Sequence, residues 1–197
     1  MILEVMQVSM YGTNCYFYGE DDGNIRIIDP GAEAKAIRQH IKQNNYTPIG
    51  IIITHIHPDH TGAVKDLKNE LNIPIYMSHL AKPRNFSVDH PMKEKDEIKI
   101  GQKKLVVYET PGHSAEGIIL VSHEDRLIFS GDTIFNLSIG RTDLGGDYDQ
   151  LMHSIGIKIM KNEAIQDDYK IYPGHMGPTT VGKERIMNPF REDFIFE

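Results

Sequence analysis

Between residues 51 and 62 the chain reads IIITHIHPDHTG, three histidines and an aspartate within six positions at the end of an apolar run. Imidazole and carboxylate at that density hold divalent cations. In an extended segment alternate side chains point the same way, so His55 and His57 can present their rings to one ion. Pro58 then turns the chain, and Asp59 and His60 emerge just before a helix expected from Gly62, displaced so that they could serve a second ion beside the first. A histidine-rich helix cap would explain one of these residues, not four. The spacing HxHxDH arises by accident with a probability of about 0.002 in a chain of this composition, so the cluster is read as a site.

Other residues of the same chemistry stand at the ends of apolar runs. Five such runs finish in RIID at Asp29, IIITH at His55, LVVYETPGH at His113, RLIFSGD at Asp132 and YKIYPGH at His175. In layered α/β folds, functional side chains gather where strand ends open into loops along one sheet edge, so these five ends are expected to meet. Taken singly, His113 and His175 after Pro-Gly could be turn residues, and Asp132 in SGDT a helix cap. Alongside the cluster, those readings lose weight. His40, His79, His90, His123 and His153 have no such company and are read as surface or hydrogen-bonded residues.

The elements that must position these residues follow from periodicity. LEVMQV, NCYFYG and NIRIIDPG read as strands, with EDDGN turning between the second and third. A helix is expected from about 33 to 43, with Ala36, Ile37, His40 and Ile41 on one face. GIIITH is a buried strand, followed by a helix from about 62 to 71 striped by Ala63, Val64, Leu67 and Leu71, and then the strand IPIYMS. LAKPRNFSVDHPM carries two prolines and no period, so a loop with at most a short helix is expected. EIKIG, KKLVVYETPG, GIILVSHED and RLIFSGD form a second series of strands, the last two joined by a hairpin around 123 to 125. A helix from about 148 to 161 and a final strand, YKIYPGH, complete the order. Each half holds strands, a helix and a ligand-bearing loop, which hints at a duplicated unit.

Composition sets the outer bounds. At 197 residues, one domain over 1–197 is expected. With 40% apolar and 25% charged residues the chain reads as an ordinary globular protein, and no apolar run approaches the roughly 18 residues of a membrane span. MILEVMQVSM lacks a basic flank and a small-residue cleavage pattern, so it reads as a first strand and the expected location is the cytoplasm. The single cysteine, Cys15, excludes an intrachain disulfide framework and is expected to pack inside its strand. A net charge of −7 argues against a broad electrostatic grip on nucleic acid. A small-molecule substrate is expected; oligomeric state is not encoded in these signals.

THIHPDH, TPGHS, SGDT and YPGH, in this order and at these separations, resemble the metallo-β-lactamase superfamily over essentially the whole chain. GRTDLGGD at 140 to 147 and YPGHMGPTTVGKERIMNPF at 172 to 190 look like the glyoxalase II-like hydrolases within it. The resemblance implies an α+β chain folded as a four-layer αββα sandwich, with the metals at one edge of the two sheets. It implies two divalent ions per chain, zinc first, with iron or manganese as alternatives. His55, His57 and His113 would hold one ion, Asp59, His60 and His175 the other, and Asp132 would bridge both. Asp29 in IIDPG would orient a ligand histidine rather than bind metal, the other reading being a strand-ending Asp-Pro-Gly turn.

The chemistry implied is metal-dependent hydrolysis: two ions share a water whose pKa falls towards neutrality, and the hydroxide attacks a carbonyl. Zinc accommodates a thiolate leaving group well, which makes thioesters a natural substrate, of the S-lactoylglutathione kind or another acyl thioester. Asp59 and Asp132 are the catalytic candidates, Asp59 by taking up or relaying the proton.

Departures from the family are local. Full-length glyoxalase II enzymes hold glutathione with a basic C-terminal helical region, whereas here twenty-two residues, 176 to 197, follow His175 and end in REDFIFE, expected to be too short and acidic for that task. DLGGD lacks the proline of the subgroup's DLPGGD, and Arg141 in GRTD is expected either to meet an anionic substrate group or to brace loops as a buried arginine. Two other readings remain beside the thioester hydrolase. One is a persulfide dioxygenase with a single iron on two histidines and an aspartate; the other is a metal-binding protein without catalysis, or a nuclease relative.

Overall fold

The structure is a computed structural model, and it describes residues 1–195; the last two residues of REDFIFE lie outside them. The first half contributes β1 (Ile2–Val8), β2 (Thr13–Gly19), β3 (Asn24–Ile28), α1 (Ala34–Gln43), β4 (Thr47–Ile52), α2 (Pro58–Thr61), α3 (Val64–Leu71), β5 (Ile75–Ser78) and β6 (His90–Met92). The second contributes β7 (Glu97–Ile100), β8 (Lys103–Glu109), β9 (Ile118–Ser122), β10 (Leu127–Gly131), β11 (Ile134–Phe135), β12 (Ser138–Ile139), α4 (Tyr148–Ile155), β13 (Lys170–Pro173), β14 (Thr179–Thr180) and α5 (Val181–Met187). Among the described residues each half forms its own six-stranded sheet, in the orders β1-β2-β3-β4-β5-β6 and β14-β13-β10-β9-β8-β7.

Strand alternation produces the layers. Along β2, Cys15 and Phe17 face the helices while Tyr16 and Tyr18 face the other sheet, so a strand covered on both sides reads apolar throughout. On the outer face of the first sheet, Ile37 and Ile41 of α1 and Val64 and Leu67 of α3 pack on Phe17, Ile25, Ile27 and Ile51. Leu151, Met152 and Ile155 of α4, continued by Ile159 in a π turn at Gly156–Met160, cover Ile119, Val121, Ile128 and Ile171. Between the sheets, Tyr16, Tyr18, Ile28 and Ile52 meet Leu105, Val107, Leu120 and Phe129. Each of these aliphatic burials contributes roughly 1.5–3 kcal/mol. The result is the expected αββα sandwich.

Direction brings the strand ends together. β3 and β4 run parallel, as do β10 and β13, while β8 and β10 are both antiparallel to β9 and so point the same way. Asp29, His55, His113, Asp132 and His175 therefore follow strands that all exit at one edge of the sandwich.

Several local expectations are corrected. Ala36 is exposed; Ala34 packs instead, and His40 is half-buried with Nε2 2.6 Å from Glu4 Oε2. The helix expected from Gly62 is two helices, and α2 starts at Pro58, whose fixed φ suits a first helical position, so Asp59 and His60 sit inside a helical turn rather than before it. The proline-rich loop ends in β6, which pairs parallel with β5 at the sheet edge, where Pro91 needs no ladder donor. YKIYPGH is not the last strand: β14 and α5 follow, and the β11–β12 hairpin lies between β10 and α4. Elements of two residues carry no period to read. Cys15 is fully enclosed, as expected, and burial raises its thiol pKa well above the usual value.

Candidate metal centre

Seven side chains converge where the two sheets end. Three overlapping groups, His55 with His57 and His113, His55 with His60 and Asp132, and Asp59 with His60 and His175, each bring their ligand atoms within 4.8 Å of one another. Asp132 lies between the outer trios: its Oδ2 is 3.6 Å from His113 Nε2, 4.0 Å from His55 Nε2 and 3.5 Å from His175 Nε2, and its Oδ1 is 3.4 Å from His60 Nε2. Asp59 Oδ2 lies 3.3 Å from His175 Nε2 and 3.7 Å from His60 Nε2.

The outer nitrogens of four rings are committed elsewhere, which fixes their tautomers. His113 Nδ1 donates to the Arg141 carbonyl (2.7 Å) and His175 Nδ1 to the Tyr11 carbonyl (3.2 Å). His60 Nδ1 donates to Asp29 Oδ2 (3.0 Å). Thr54 Oγ1 gives its proton to Asp29 Oδ2 (2.7 Å) and so accepts from His55 Nδ1 (3.0 Å). Once neutral, each of these rings would have its Nε2 as an inward lone pair, the form that binds a cation. His57 turns the other way, its Nδ1 2.9 Å from His113 Nε2.

This arrangement fits metal. Among the described residues, His55 Nε2 and Asp132 Oδ1 are buried without a hydrogen-bond partner, since the close approach of His60 to Asp132 is not aligned as a hydrogen bond. A buried unpaired polar atom is costly, and two of them facing inward nitrogens and carboxylates are what a cation would satisfy. In the metal-free chain protons stand in. Burial opposes charge on His60, but Asp132 and Asp29 outweigh it and lift its pKa to about 10; Asp132 and Asp59 likewise lift His175 to about 9. Burial and the neighbouring rings push His55 and His57 down. Burial opposes ionisation of Asp132 and Asp59 too, yet the adjacent histidines hold both carboxyls below the usual range.

Of the two supporting residues expected, Asp29 orients rather than faces the cluster. Its left-handed φ of 53° ends β3, and its carboxylate takes the Thr54 amide and hydroxyl and the His60 ring. Arg141 is exposed, not buried, and forms a two-pronged pair with Asp143 at 2.6 Å for each contact; its carbonyl, not its guanidinium, touches the cluster.

Sequence reading passed over the props. Asn14 donates from its backbone to the Gly174 carbonyl (2.7 Å) and from Nδ2 to the carbonyls of Pro173 (2.9 Å) and Met176 (2.8 Å), clamping the turn that carries His175. Tyr16 Oη adds a donor to Pro173 at 2.6 Å, and Thr13 Oγ1 donates to Asp59 Oδ2 at 3.0 Å. Glu116 Oε1 accepts from the Ile56 amide (3.0 Å), pinning the HIH run from the second sheet. Gly174 is required here: a Cβ would lie 2.2 Å from Asp132 Oδ1 and 2.7 Å from His60 Cε1.

The cluster opens on a cleft of about 840 Å³ that is walled on the far side by Phe135, Ile139, Leu144 and Met176. A cation pair at its floor would face a substrate of moderate size.

Comparison with known proteins gives concordant findings. The pattern of the Metallo-beta-lactamase superfamily matches residues 9–175. The chain is 32% identical over 210 residues to the hydroxyacylglutathione hydrolase GloC of Haemophilus influenzae, covering 96% of this chain and 98% of that protein. Among solved structures, BLEG-1 B3 metallo-beta-lactamase is similar with a TM-score of 0.86 and 32% identity, covering 96% of this chain and 99% of that one. ETHE1 from Myxococcus xanthus has a TM-score of 0.86 at 25% identity, with 99% and 88% covered.

Proposed function

The chain belongs to the metallo-beta-lactamase superfamily, and from that premise we propose that it is a dinuclear metal-dependent hydrolase of thioesters. The observation that carries the dinuclear reading is the convergence of inward Nε2 atoms on Asp132, with His55 Nε2 and Asp132 Oδ1 buried and unpartnered. The thioester part is supported by the likeness to the hydroxyacylglutathione hydrolase GloC over nearly the full length of both chains.

His55, His57 and His113 would hold one cation, Asp59, His60 and His175 the other, and Asp132, close to both groups, would serve the two together. When bound, two divalent cations, zinc first, supply a nucleophilic hydroxide at neutral pH and polarise a carbonyl oxygen. The protein fixes four of the rings, His55, His60, His113 and His175, through Thr54, Asp29 and the Arg141 and Tyr11 carbonyls, so these four need not reorient during turnover. Asp59 faces the cleft beside Thr13 Oγ1 and handles the proton; its low pKa favours passing that proton on over keeping it. The apolar wall of the cleft takes the acyl chain and limits water at the reacting carbonyl.

A second reading, persulfide dioxygenation on one iron, has its own support. His55, His60 and Asp132 form a group of two histidines and one carboxylate, the ligand set of non-haem iron oxygenases. His175 beside Asp59 and His60 favours the two-metal reading, because it completes a second group.

Metal analysis of the purified protein, followed on the same sample by a thioester hydrolysis screen and oxygen uptake, separates the two. About two ions per chain with thioester turnover is expected; one iron with oxygen consumption would replace the hydrolase. Asp132→Ala should lose or scatter both ions and most activity, and His175→Ala should lower metal content towards one. Full metal content with retained turnover in Asp132→Ala would refute the shared carboxylate.

A further inference from the structure

A second groove, of about 420 Å³, opens on the other side of the His57–Pro58 ridge, and both residues line it as well as the main cleft. It runs between α2, the start of α3 and the segment before β6. Its charged walls are Lys65, Lys82 and Arg84, all exposed, with Phe86 and Ile56 as apolar floor, and among the described residues no Asp or Glu lines it. Among the described residues none of the three cationic groups makes an ion pair or a hydrogen bond. In a chain with 28 acidic against 21 basic residues, three cations facing one groove without a carboxylate are out of keeping with the rest of the surface. The main cleft offers no free cation of its own, since Arg141 is already clamped by Asp143.

We propose that this groove is the anion subsite of the substrate: Lys65, Lys82 and Arg84 receive a carboxylate or phosphate carried by the thiol half, while the acyl half lies in the apolar cleft. The inference rests on the thioester reading. It divides the substrate at the ridge: the acyl half would lie along the apolar wall of the cleft, whose Asp59 and Asp132 belong to the metal cluster and whose Arg141 is paired with Asp143, and the thiol half in the cationic groove. Arg84 can grip an oxyanion with two donors, whereas the lysines act as point charges. The two Arg and Lys residues of the pre-β6 segment sit on irregular backbone, so changing them leaves both sheets and the metal ligands untouched.

The test compares metal-loaded wild type with K82E/R84E on thioesters of one acyl group and three thiols: neutral N-acetylcysteamine, glutathione with its carboxylates, and coenzyme A with its phosphates. Expected for wild type is a lower KM for at least one anionic thiol than for the neutral one, the better of the two identifying carboxylate or phosphate. Reversal should raise that KM by at least about tenfold with kcat little changed, leave the neutral thioester unaffected, and matter less at high salt. Equal effects on neutral and anionic substrates, or no effect on either, would overturn the subsite. If no thioester is turned over, the catalytic reading fails instead, and calorimetric binding of glutathione and coenzyme A to wild type and K82E/R84E decides the subsite separately: binding lost on reversal supports it, and no binding to wild type removes it.

Discussion

Asp29 shows how a carboxylate that faces away from the cluster can govern it. It takes the His60 ring directly and the His55 ring through Thr54, so two neighbouring imidazoles, their centroids 4.1 Å apart, depend on one side chain. Asp29→Asn should therefore weaken metal binding about 10–100-fold, and Thr54→Val should act in the same direction through His55 alone, both read by metal titration against a competing chelator. Protons give a second prediction. His60 and His175 hold theirs in the metal-free fold up to about 10 and about 9, against about 6.5 for an ordinary imidazole, so cations must displace them and apparent affinity should climb from pH 6.5 towards 9. The same raised values stabilise the metal-free fold below pH 6.5 and lose that contribution as pH rises through 9 and 10. The lowered values of His55 and His57 act oppositely, destabilising it below 6.5. From these four groups, chelated protein should melt highest near pH 6.5; a melting temperature rising steadily to pH 10 would contradict the protonation assignment. The seven candidate ligands were visible in the sequence because few residue types bind cations and their clustering is rare by chance. Thr54 and Asn14 were not: hydroxyls and amides are common, and their partners lie 25 residues away for Thr54 and about 160 for Asn14.

Strand ends, more than the strands, carry the design. The turn after β13 must pass so close to Asp132 that only glycine fits at 174, and Asn14 at the start of β2 then holds it with three hydrogen bonds. Gly174→Ala should push His175 and Asp132 out of position, costing about 1–3 kcal/mol of stability and on the order of 100-fold in turnover, checked by melting and by kinetics at saturating metal. Unchanged metal content in that variant would mean the turn has room the geometry denies it. Long apolar runs such as β2 and β4 were legible because burial on both faces leaves no polar interruption. β6, β11, β12 and β14 were not, since two or three residues give no period and their pairing is set by sheets already in place.

Across the whole molecule, the two halves each build a sheet, and the cluster draws on both: His55, His57, Asp59 and His60 from the first, His113, Asp132 and His175 from the second. Bound cations would thus join the halves at one edge, in addition to the apolar layer around Tyr16, Tyr18 and Phe129. Cations at a hundred times their Kd add about 2.7 kcal/mol, so a chelator should lower the melting temperature by roughly 5–10 °C at this chain length. A melting temperature indifferent to chelation would mean the apolar layer alone holds the sheets together. The layering has one more consequence, at Cys15. The chain's sole sulfhydryl is walled in between β2's neighbours and the helices, and kept protonated by burial. A protein working among free thiols and their oxidised partners would then stay uncapped by mixed disulfides, and alkylation of Cys15 would clock the opening of the sandwich itself.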